Sequence, residues 1–400
     1  MKSLIIVHPG VQHAYRLANA SASSGLFSNV YLLTGLILNS SSWWVKGPIK
    51  KRIKVVNTKV TIKNFPLYEF CSQIIFRFYS LLFKPQTDAV IRCMCQFVFE
   101  MRCLPVIFLK RKNSILVCYE TSGWPLNYIA RKINLPVIMD FASISHEAAE
   151  SLGIQLSKFE NYLKEYERKQ IDYAFFCSHF AADTYQNKTS AKKSFVIHPG
   201  ADIRSHDSSI SHKTVSASNV LKISCVGNTF YRKGMDIILD TLCTYRYQLP
   251  IEIHFIGKIT SEVDKWKSLL KESIKMILIP TLEQREMFKY LESKNFDLNI
   301  QPSRFDSFCM TVPETMILGI PNILSPYVGV GELLTHRVNV LKMEKLDPES
   351  LNNELCYWLS LSNSQRQLFK ENVIMKAKEI SWEEYNKKVA LTFGEILSTL

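Results

Sequence analysis

Residues 301–332, QPSRFDSFCMTVPETMILGIPNILSPYVGVGE, decide the fold of this chain. An apolar run, FDLNI, leads into the segment and predicts a strand that ends in a loop at Gln301. The apolar stretch after Glu314 is closed by Gly319 and Pro321. A proline just inside a helix start and a glycine just past its end are typical of a short helix. The segment therefore predicts a strand, a loop, a short helix and a second strand, as in an α/β protein.

Two acidic residues of this segment, Asp306 and Glu314, flank the predicted helix start. The free N–H groups at the start of a helix favour a phosphate or another anion. Carboxylates beside them accept hydrogen bonds from sugar hydroxyls. A sugar attached to a diphosphate suits both features, although an ordinary buried αβ unit fits the same pattern.

A second segment, residues 221–242, adds positive charge to this picture. It predicts a strand, a turn at Gly227, a polar loop with Arg232-Lys233-Gly234, and an amphipathic helix. Adjacent cations can hold a diphosphate, and Arg can do so through two parallel hydrogen bonds. A helix start disfavours cations unless an anion lies there. The alternative is a solvated charge pair.

Together these motifs resemble family 4 of the retaining, nucleotide-sugar-dependent glycosyltransferases, which have the GT-B fold. The family motif consists of an acidic residue, seven intervening residues and a Glu. Asp306 and Glu314 match its first and last positions. Its basic-Lys-Gly element matches residues 231–234, and its Gly-rich loop ending in Glu matches residues 329–332. The resemblance covers residues 220–340 well and the first half of the chain more loosely.

Two positions depart from the family pattern. Asn228 stands where the family usually has Arg after the glycine of the turn, and Asp306 stands where it usually has Glu. Asn228 removes one phosphate contact, so Arg232 and Lys233 would carry more of the leaving-group charge. The shorter Asp306 would select a different donor sugar or weaken the enzyme.

The resemblance implies an α/β GT-B fold with two Rossmann-like domains whose parallel sheets face each other across a cleft. The alternation of predicted strands and helices agrees with parallel sheets. We expect an acceptor-side domain over 1–205, with the last helix, 381–400, packing back on it, and a nucleotide-sugar-binding domain over 206–380. The polar stretch 201–219 has the composition of a linker between them.

The resemblance also implies the role of each site residue. Glu314 would accept from the ribose hydroxyls, while Arg232, Lys233 and the backbone of 309–311 would hold the diphosphate, and Asp306 would orient the sugar. The predicted catalytic residues are Arg232, Lys233, Asp306 and His146. The predicted donor-binding residues are Gly10, Gly227, Asn228, Phe308, Cys309, Met310, Thr311 and Glu314.

Two of these residues lie in the first half of the chain, directly after predicted strands. Gly10 follows SLIIV, where the carboxyl ends of parallel strands bind ligands, and it permits a close backbone approach to the substrate. His146 resembles the cleft histidine that many family members place after the corresponding strand. A structural role is the alternative for His146.

Composition and cysteine spacing limit the class of protein. The 400 residues suggest about two to three domains. The ten cysteines show no Cys-x-x-Cys spacing, which favours reduced thiols in a cytoplasm over a zinc site. The apolar run Leu4–Val7 is too short for a signal peptide, and no stretch approaches the length of a membrane span.

The net charge of +13 lies entirely in the first half, since residues 1–200 hold 25 Lys and Arg against 12 Asp and Glu. Residues 46–112 hold 14 basic and 3 acidic residues, interleaved with aromatics such as Phe76 and Phe97, and Trp43 and Trp44 come just before this range. This composition favours an anionic membrane surface or a lipid-linked phosphate. Nucleic acid and a solvated basic face over an aromatic core are the alternatives.

We therefore expect a retaining, hexosyltransferase-type enzyme that moves a sugar from a nucleotide diphosphate sugar to a glycan or lipid-linked acceptor in cell-surface polysaccharide or glycoconjugate synthesis. No Asp-x-Asp motif occurs, so we expect metal-independent transfer with no cofactor beyond the donor. The protein would be cytoplasmic or peripheral at the inner face of the cell membrane, and we expect no nucleic acid partner.

Two alternative functions also fit the sequence. The first is a sugar-nucleotide epimerase of the same fold, which would need a pair of cleft carboxylates as general acid and base. The second is a non-catalytic nucleic-acid or membrane-binding protein driven by the basic first half. The second alternative does not explain the cationic loop of residues 231–234.

Overall fold

The computed structural model describes residues 1–10, 13–38, 52–82, 85–154, 157–202, 219–228, 231–258 and 263–400, with the side chains of 76–89 left out. Within these residues the chain forms two compact units, each built on one parallel β-sheet. The first unit comprises Met1–Cys177, Ala182–Ile197 and Tyr385–Leu400. The second comprises Ser178–Ala181 and His198–Glu384.

The first unit has a seven-stranded sheet in the order β3-β2-β1-β4-β5-β6-β7. All neighbouring strands are parallel. The interior strands are almost continuously apolar because a parallel sheet is covered by helices on both faces. The strands are β1 Ser3–His8, β2 Asn29–Thr34, β3 Val60–Asn64, β4 Ser114–Tyr119, β5 Val137–Phe141, β6 Tyr173–Phe176 and β7 Lys193–Val196.

Seven helices connect these strands among the described residues. Helix α7 begins in residues that belong to the second unit and ends in the first. The helices are α1 Ala14–Ser23, α2 Pro66–Leu82, α3 Pro85–Lys110, α4 Trp124–Lys132, α5 His146–Ser151, α6 Lys158–Arg168 and α7 His179–Thr184.

The second unit has a six-stranded sheet in the order β10-β9-β8-β11-β12-β13, again with parallel neighbours. Its strands are β8 Leu221–Val226, β9 Ile251–Ile256, β10 Ile274–Ile279, β11 Leu298–Gln301, β12 Asn322–Leu324 and β13 Leu341–Lys342. Its helices are α8 Met235–Thr244, α9 Asp264–Lys267, α10 Gln284–Lys294, α11 Thr311–Met316, α12 Pro348–Ser360 and α13 Asn363–Glu379; the last helix, α14 Trp382–Thr399, ends in the first unit.

The predicted α/β architecture with two parallel sheets is confirmed. Two strands were not predicted, β3 at the edge of the first sheet and the two-residue β13 at the edge of the second. The second unit begins at His198. The residues that follow His198 contact the far end of the same unit, where the Ala201 N–H donates to the Ile380 carbonyl at 2.9 Å.

Parts of two sequence-based predictions fall outside the described residues. They are most of the predicted linker, at 203–218, and the stretch 39–51 with Trp43 and Trp44. Among the described residues, none of the helices combines the length and the apolar composition that a bilayer crossing requires.

Candidate functional site

Glycines bring the ends of neighbouring strands of the second sheet into close contact. Gly257, after β9, has a φ of 150°, and a Cβ on it would lie 1.9 Å from the Gly227 carbonyl oxygen. A Cβ on Gly227 would lie 2.9 Å from Cγ of Lys233. The turn after β8 therefore leaves room for the aliphatic stem of Lys233 to lie against the backbone.

Gly234 immediately precedes helix α8 and is in the left-handed region with a φ of 67°. A Cβ there would lie 1.9 Å from the carbonyl oxygen of Pro302, just after β11. Only glycine fits such an approach with a positive φ. The basic loop after β8 is thus placed against the loop after β11, where Asp306 lies.

Lys233 and Asp306 form a largely buried ion pair with 2.7 Å between Nζ and Oδ2. Burial lowers the pKa of Lys233, but Cys309 and Asp306 raise it more, and the net pKa lies above its ordinary value. Burial raises the pKa of Asp306, but Lys233 and then Arg232 hold it below its usual range. Both groups are therefore charged at neutral pH.

Arg232 is the more exposed cation of the cluster. Its Nη1 lies 3.8 Å from Oδ2 of Asp306 and donates to the Phe305 carbonyl at 3.3 Å. The guanidinium also lies 5.5 Å from the centre of the Phe305 ring. The side chain is 31% exposed, so it can contact an anion from solvent.

The loop between Asp306 and helix α11 is closely held. The Phe308 N–H donates to Oδ1 of Asp306 at 3.3 Å, and the Phe308 carbonyl accepts from the Val330 N–H at 2.9 Å. Cys309 has a φ of 70°, and its Sγ lies 3.7 Å from Nζ of Lys233. Burial raises the pKa of the Cys309 thiol to about 12, so it is neutral beside the ammonium.

Helix α11 itself, which starts at Thr311 after Met310, is six residues long. Because the macrodipole sums over aligned peptide units, so short a helix adds little positive potential. Lys233 and Arg232 therefore supply most of the positive charge at this loop.

Glu314 lies on α11 and is buried, with Oε1 accepting from Nε2 of Gln284 at 2.6 Å. Burial raises the pKa of Glu314 to about 7, the Gln284 hydrogen bond lowers it and Asp202 raises it. Gln284 opens helix α10 and belongs to no motif, so the sequence analysis missed it. Only the fold brings it to Glu314.

Asn228 is used to join loops at the carboxyl end of the sheet. Its Oδ1 accepts from the Lys258 N–H and from the Thr281 hydroxyl, each at 3.0 Å. These partners follow β9 and β10, so Asn228 ties three strand ends together. Its predicted contact with the donor stays a prediction.

Two further ion-pairing residues, Glu332 and Arg304, shape this region. Glu332, the last residue of the Gly-rich motif, accepts from the backbone N–H of His179 at 2.8 Å and from Nε2 of His198 at 2.7 Å. Arg304, which the sequence analysis missed, binds the Asp236 carboxylate through both Nη atoms at 2.9 and 2.7 Å. Both residues lie in the second unit, where their hydrogen bonds connect loops to one another.

Gly10 lines a polar pocket of about 350 Å³ in the first unit. Lys164 and Glu120 form an ion pair in this pocket at 3.6 Å, and the Tyr185 hydroxyl donates to Glu120 at 2.5 Å. The pocket is lined by His8, Pro9, Gly10, Arg92, Gln96, Glu120, Thr121, Ser122, Ala142, Ser143 and Lys164.

The structure places His146 at the start of α5, in a cluster of charged side chains of the first unit. Its Nε2 lies 3.5 Å from carboxylate oxygens of both Glu147 and Glu165. Arg168 donates to Glu147 at 2.9 Å, so a positive charge already faces this carboxylate. His146 does not line the described pocket, and its catalytic role stays a prediction.

The structure thus brings Arg232, Lys233, Asp306, Phe308 and Cys309 into one cluster, with Gly227 packed against the Lys233 stem. Each of these residues lies at or near the carboxyl ends of β8 and β11. Gly10 and His146 belong to the first unit.

Comparison with known proteins finds similarity to glycosyltransferases over part of the chain. Residues 208–374 match the model of the family described as glycosyl transferases group 1. A sucrose synthase from Melioribacter roseus is 24% identical over 157 residues, which are 38% of this chain and 19% of that protein. An uncharacterised glycosyltransferase from Methanocaldococcus jannaschii is 25% identical over 174 residues, 43% of this chain and 47% of that protein. The chain therefore spans less than half the length of either curated relative.

Solved structures resemble the whole chain in fold. A sucrose-phosphate synthase from Thermosynechococcus elongatus superposes with a TM-score of 0.66 at 13% identity, covering 100% of both chains. Anabaena HepE in complex with UDP-glucose superposes with a TM-score of 0.58 at 14% identity, also covering 100% of both chains. With its two parallel sheets and these matches, the chain has the GT-B fold, and its residues 208–374 are similar to glycosyl transferases group 1.

Proposed function

We propose that this protein is a retaining glycosyltransferase that moves a sugar from a nucleotide diphosphate sugar to a glycan or lipid-linked acceptor. The observation that carries the proposal is the cluster of Lys233, Arg232 and Asp306 at the carboxyl end of the second sheet, inside the matched family region. Anabaena HepE was crystallised with UDP-glucose, which supports a nucleotide sugar as the donor. Cell-surface polysaccharide or glycoconjugate synthesis is the process we propose.

The cations would act on the leaving group. The bond between the anomeric carbon and the diphosphate oxygen breaks, and the acceptor oxygen forms a new bond to that carbon on the same face. The acceptor proton passes to the departing phosphate oxygen, so no covalent enzyme nucleophile is needed. Lys233 and Arg232 would stabilise the charge that develops on the diphosphate, an interaction that is stronger in the transition state than in the ground state.

Asp306 would set the position of the Lys233 ammonium. Its carboxylate accepts from Nζ at 2.7 Å, which fixes the flexible lysine stem before the donor arrives. A preorganised cation needs little rearrangement during the reaction. The remaining N–H groups of the ammonium, with the Arg232 fork, would face the phosphates, and the backbone of Phe308 and Cys309 would contact the sugar.

The pocket of the first unit fits an acceptor with hydroxyl groups and a negative charge. Glu120, Ser122 and Ser143 offer oxygens to hydroxyls, while Arg92 and Lys164 offer cations. Gly10 also lines this pocket. We propose that the acceptor binds here.

A panel of nucleotide sugars tests the proposal. Incubation with each donor, with and without lipid-linked acceptors, is followed by measurement of released nucleoside diphosphate. We expect release from at least one donor and an unchanged anomeric configuration in the product, which NMR coupling constants report. Formation of an epimeric nucleotide sugar without diphosphate release would favour the epimerase, and no change in any donor would favour a non-catalytic protein.

Transfer is expected to persist in EDTA. The sequence has no Asp-x-Asp motif, and Lys233 and Arg232 supply positive charge where a divalent ion would otherwise neutralise the diphosphate. The measurement is the rate of diphosphate release before and after treatment with the chelator. A rate that vanishes in EDTA and returns with Mn²⁺ or Mg²⁺ would rule out metal-independent transfer.

Affinity for the nucleotide sugar is expected to rise with pH up to about pH 7 and then level off. The pKa of Glu314 lies at about 7 in the free protein. Ribose hydroxyls donate hydrogen bonds to the ionised carboxylate, so binding favours loss of its proton. Below pH 7 the dissociation constant should increase by up to about tenfold per pH unit. Calorimetry in buffers of different ionisation enthalpy should detect the released proton.

Glu314→Gln provides the control for this titration. The variant keeps the shape of the side chain but cannot ionise, so its affinity should be lower than that of the wild type and flat across the same pH range. An identical pH profile in both proteins would assign the titration to another group.

A further inference from the structure

Helix α2 turns its apolar side chains outward. Leu67, Phe70 and Ile74 are 75%, 68% and 52% exposed. Glu69 and Ser72, on the opposite side, are only 8% and 5% exposed. Residues three and four apart share one face of a helix, so the three apolar residues form a single stripe, here called the α2 stripe. A helix on a water-exposed surface normally has the opposite arrangement.

The rotation of α2 is fixed by its buried polar residues. The Glu69 carboxylate pairs with Arg52 and accepts from Nε2 of Gln73 at 3.2 Å. The Ser72 hydroxyl donates to the Glu69 carbonyl at 3.0 Å. A Cβ on Gly35 would lie 2.4 Å from Oε2 of Glu69, so this glycine makes room for the carboxylate. Turning the α2 stripe inward would separate Glu69 from Arg52 and from the space beside Gly35, which means that the exposure of the stripe is built into the packing.

Helix α3 packs beside α2, with the rings of Tyr68 and Phe99 5.1 Å apart. It also exposes apolar side chains, among them Met94 at 63% and Leu109 at 80%. The surface of α3 is therefore apolar in part, like that of α2.

The charged groups around these helices are positive. Arg92, Arg102 and the run Lys110, Arg111 and Lys112 are exposed. Of the three acidic residues in 66–112, Glu69 is paired with Arg52, and burial raises the pKa of Glu100 well above its ordinary value. Apolar side chains beside an excess of cations match the boundary between the headgroups and acyl chains of an anionic bilayer.

We propose that the α2 stripe docks on an anionic membrane surface, with the cations of residues 110–112 contacting lipid phosphates. The charge argues against a second copy as the occupant, because two such surfaces would repel each other. The docking proposal is based on helices α2 and α3 alone. The further step, in which docking brings the enzyme to a lipid-linked acceptor, rests on the proposed function.

Co-sedimentation with lipid vesicles tests the proposal. Vesicles of phosphatidylcholine alone are compared with vesicles that also contain phosphatidylglycerol, at low and high ionic strength. We expect the wild type to bind the anionic vesicles, with binding weakened by salt. Leu67→Gln/Phe70→Gln/Ile74→Gln should lower the affinity by about tenfold or more. Lys110→Gln/Arg111→Gln/Lys112→Gln should lower it by roughly a hundredfold.

The matched control is Leu368→Gln/Met375→Gln/Leu391→Gln, which removes three helical apolar side chains of similar exposure, 58%, 58% and 72%, on α13 and α14. It should bind vesicles like the wild type. Thermal unfolding checks that every variant is folded.

Wild-type protein that stays in the supernatant with anionic vesicles at low ionic strength would overturn the proposal, as would an α2-stripe variant that binds like the control. Self-association that the α2-stripe variant abolishes, without vesicle binding, would assign the stripe to a second copy instead. Diphosphate release in a vesicle-free assay is scored separately, so loss of docking and failure of the proposed function give different results.

Discussion

Lys233→Ala is expected to lower turnover of the nucleotide sugar by about 10²–10³-fold. The ammonium is held at 2.7 Å from Asp306 in a largely buried position, and we propose that it faces the charge that develops on the diphosphate. Removal of such a cation affects mainly the transition state. The measurement is the steady-state rate of diphosphate release, with kcat and KM determined separately. The loss should appear in kcat.

Loss of stability must be separated from loss of catalysis, because Lys233→Ala leaves the Asp306 carboxylate without its closest cation. Asp306→Asn in the Lys233→Ala background removes that unpaired charge. The double variant should recover the free energy of unfolding that the single variant loses, but not the turnover. Lys275→Ala is the matched control, since this lysine lies on edge strand β10 and is 71% exposed. Folded Lys233→Ala protein with wild-type kinetics would remove Lys233 from the site.

The approach of Lys233 to Asp306 could be predicted only in part from the sequence. The residues are 73 positions apart, yet each lies in a loop after a predicted strand. In parallel sheets such loops meet at the carboxyl edge, and β8 and β11 are adjacent. Strand order cannot be read from a single sequence, so the resemblance to a known family supplied the expectation that these loops meet.

Side-chain contacts that depend on tertiary geometry could not be predicted from the sequence. Gln284 reaches Glu314 from a helix 30 positions earlier, and no local pattern marks it. Asn228 was interpreted as a lost phosphate contact and as a donor-binding residue, and the sequence did not indicate that its amide oxygen accepts from the loops after β9 and β10. His146 lies 3.5 Å from Glu165 on α6, and nothing in the spacing of the two residues indicates that contact.

The fold was more readable because its strands carry strong patterns. The interior strands β1 and β4 are nearly continuous apolar runs, which predict buried parallel strands. Strand β3 has the sequence VTIKN and pairs only with β2 at the sheet edge. Its sequence alternates polar and apolar residues and lies within the basic residues 46–112. For this reason the sequence did not predict a strand there.

Gly234→Ala is expected to lower the free energy of unfolding by about 3–5 kcal/mol. The residue has a φ of 67°, which disfavours an alanine by about 1 kcal/mol. The larger cost is steric, because the new Cβ would lie 1.9 Å from the Pro302 carbonyl oxygen. Both partners are backbone atoms, so relief requires the start of α8 to move away from the loop after β11. Denaturant unfolding measures the change.

Gly394→Ala is the matched control, since this glycine lies in helix α14 and its added Cβ would meet no atom within 4 Å. A helical alanine at that position should raise the free energy of unfolding by about 0.5–1 kcal/mol. If Gly234→Ala lowers the free energy of unfolding while Gly394→Ala raises it, the loss of stability comes from the contact of Gly234 with Pro302. Because Lys233 precedes Gly234, any Gly234→Ala protein that folds should also lose turnover, as its ammonium is displaced from Asp306. A Gly234→Ala protein as stable and active as the wild type would contradict the close approach on which the position of Lys233 depends.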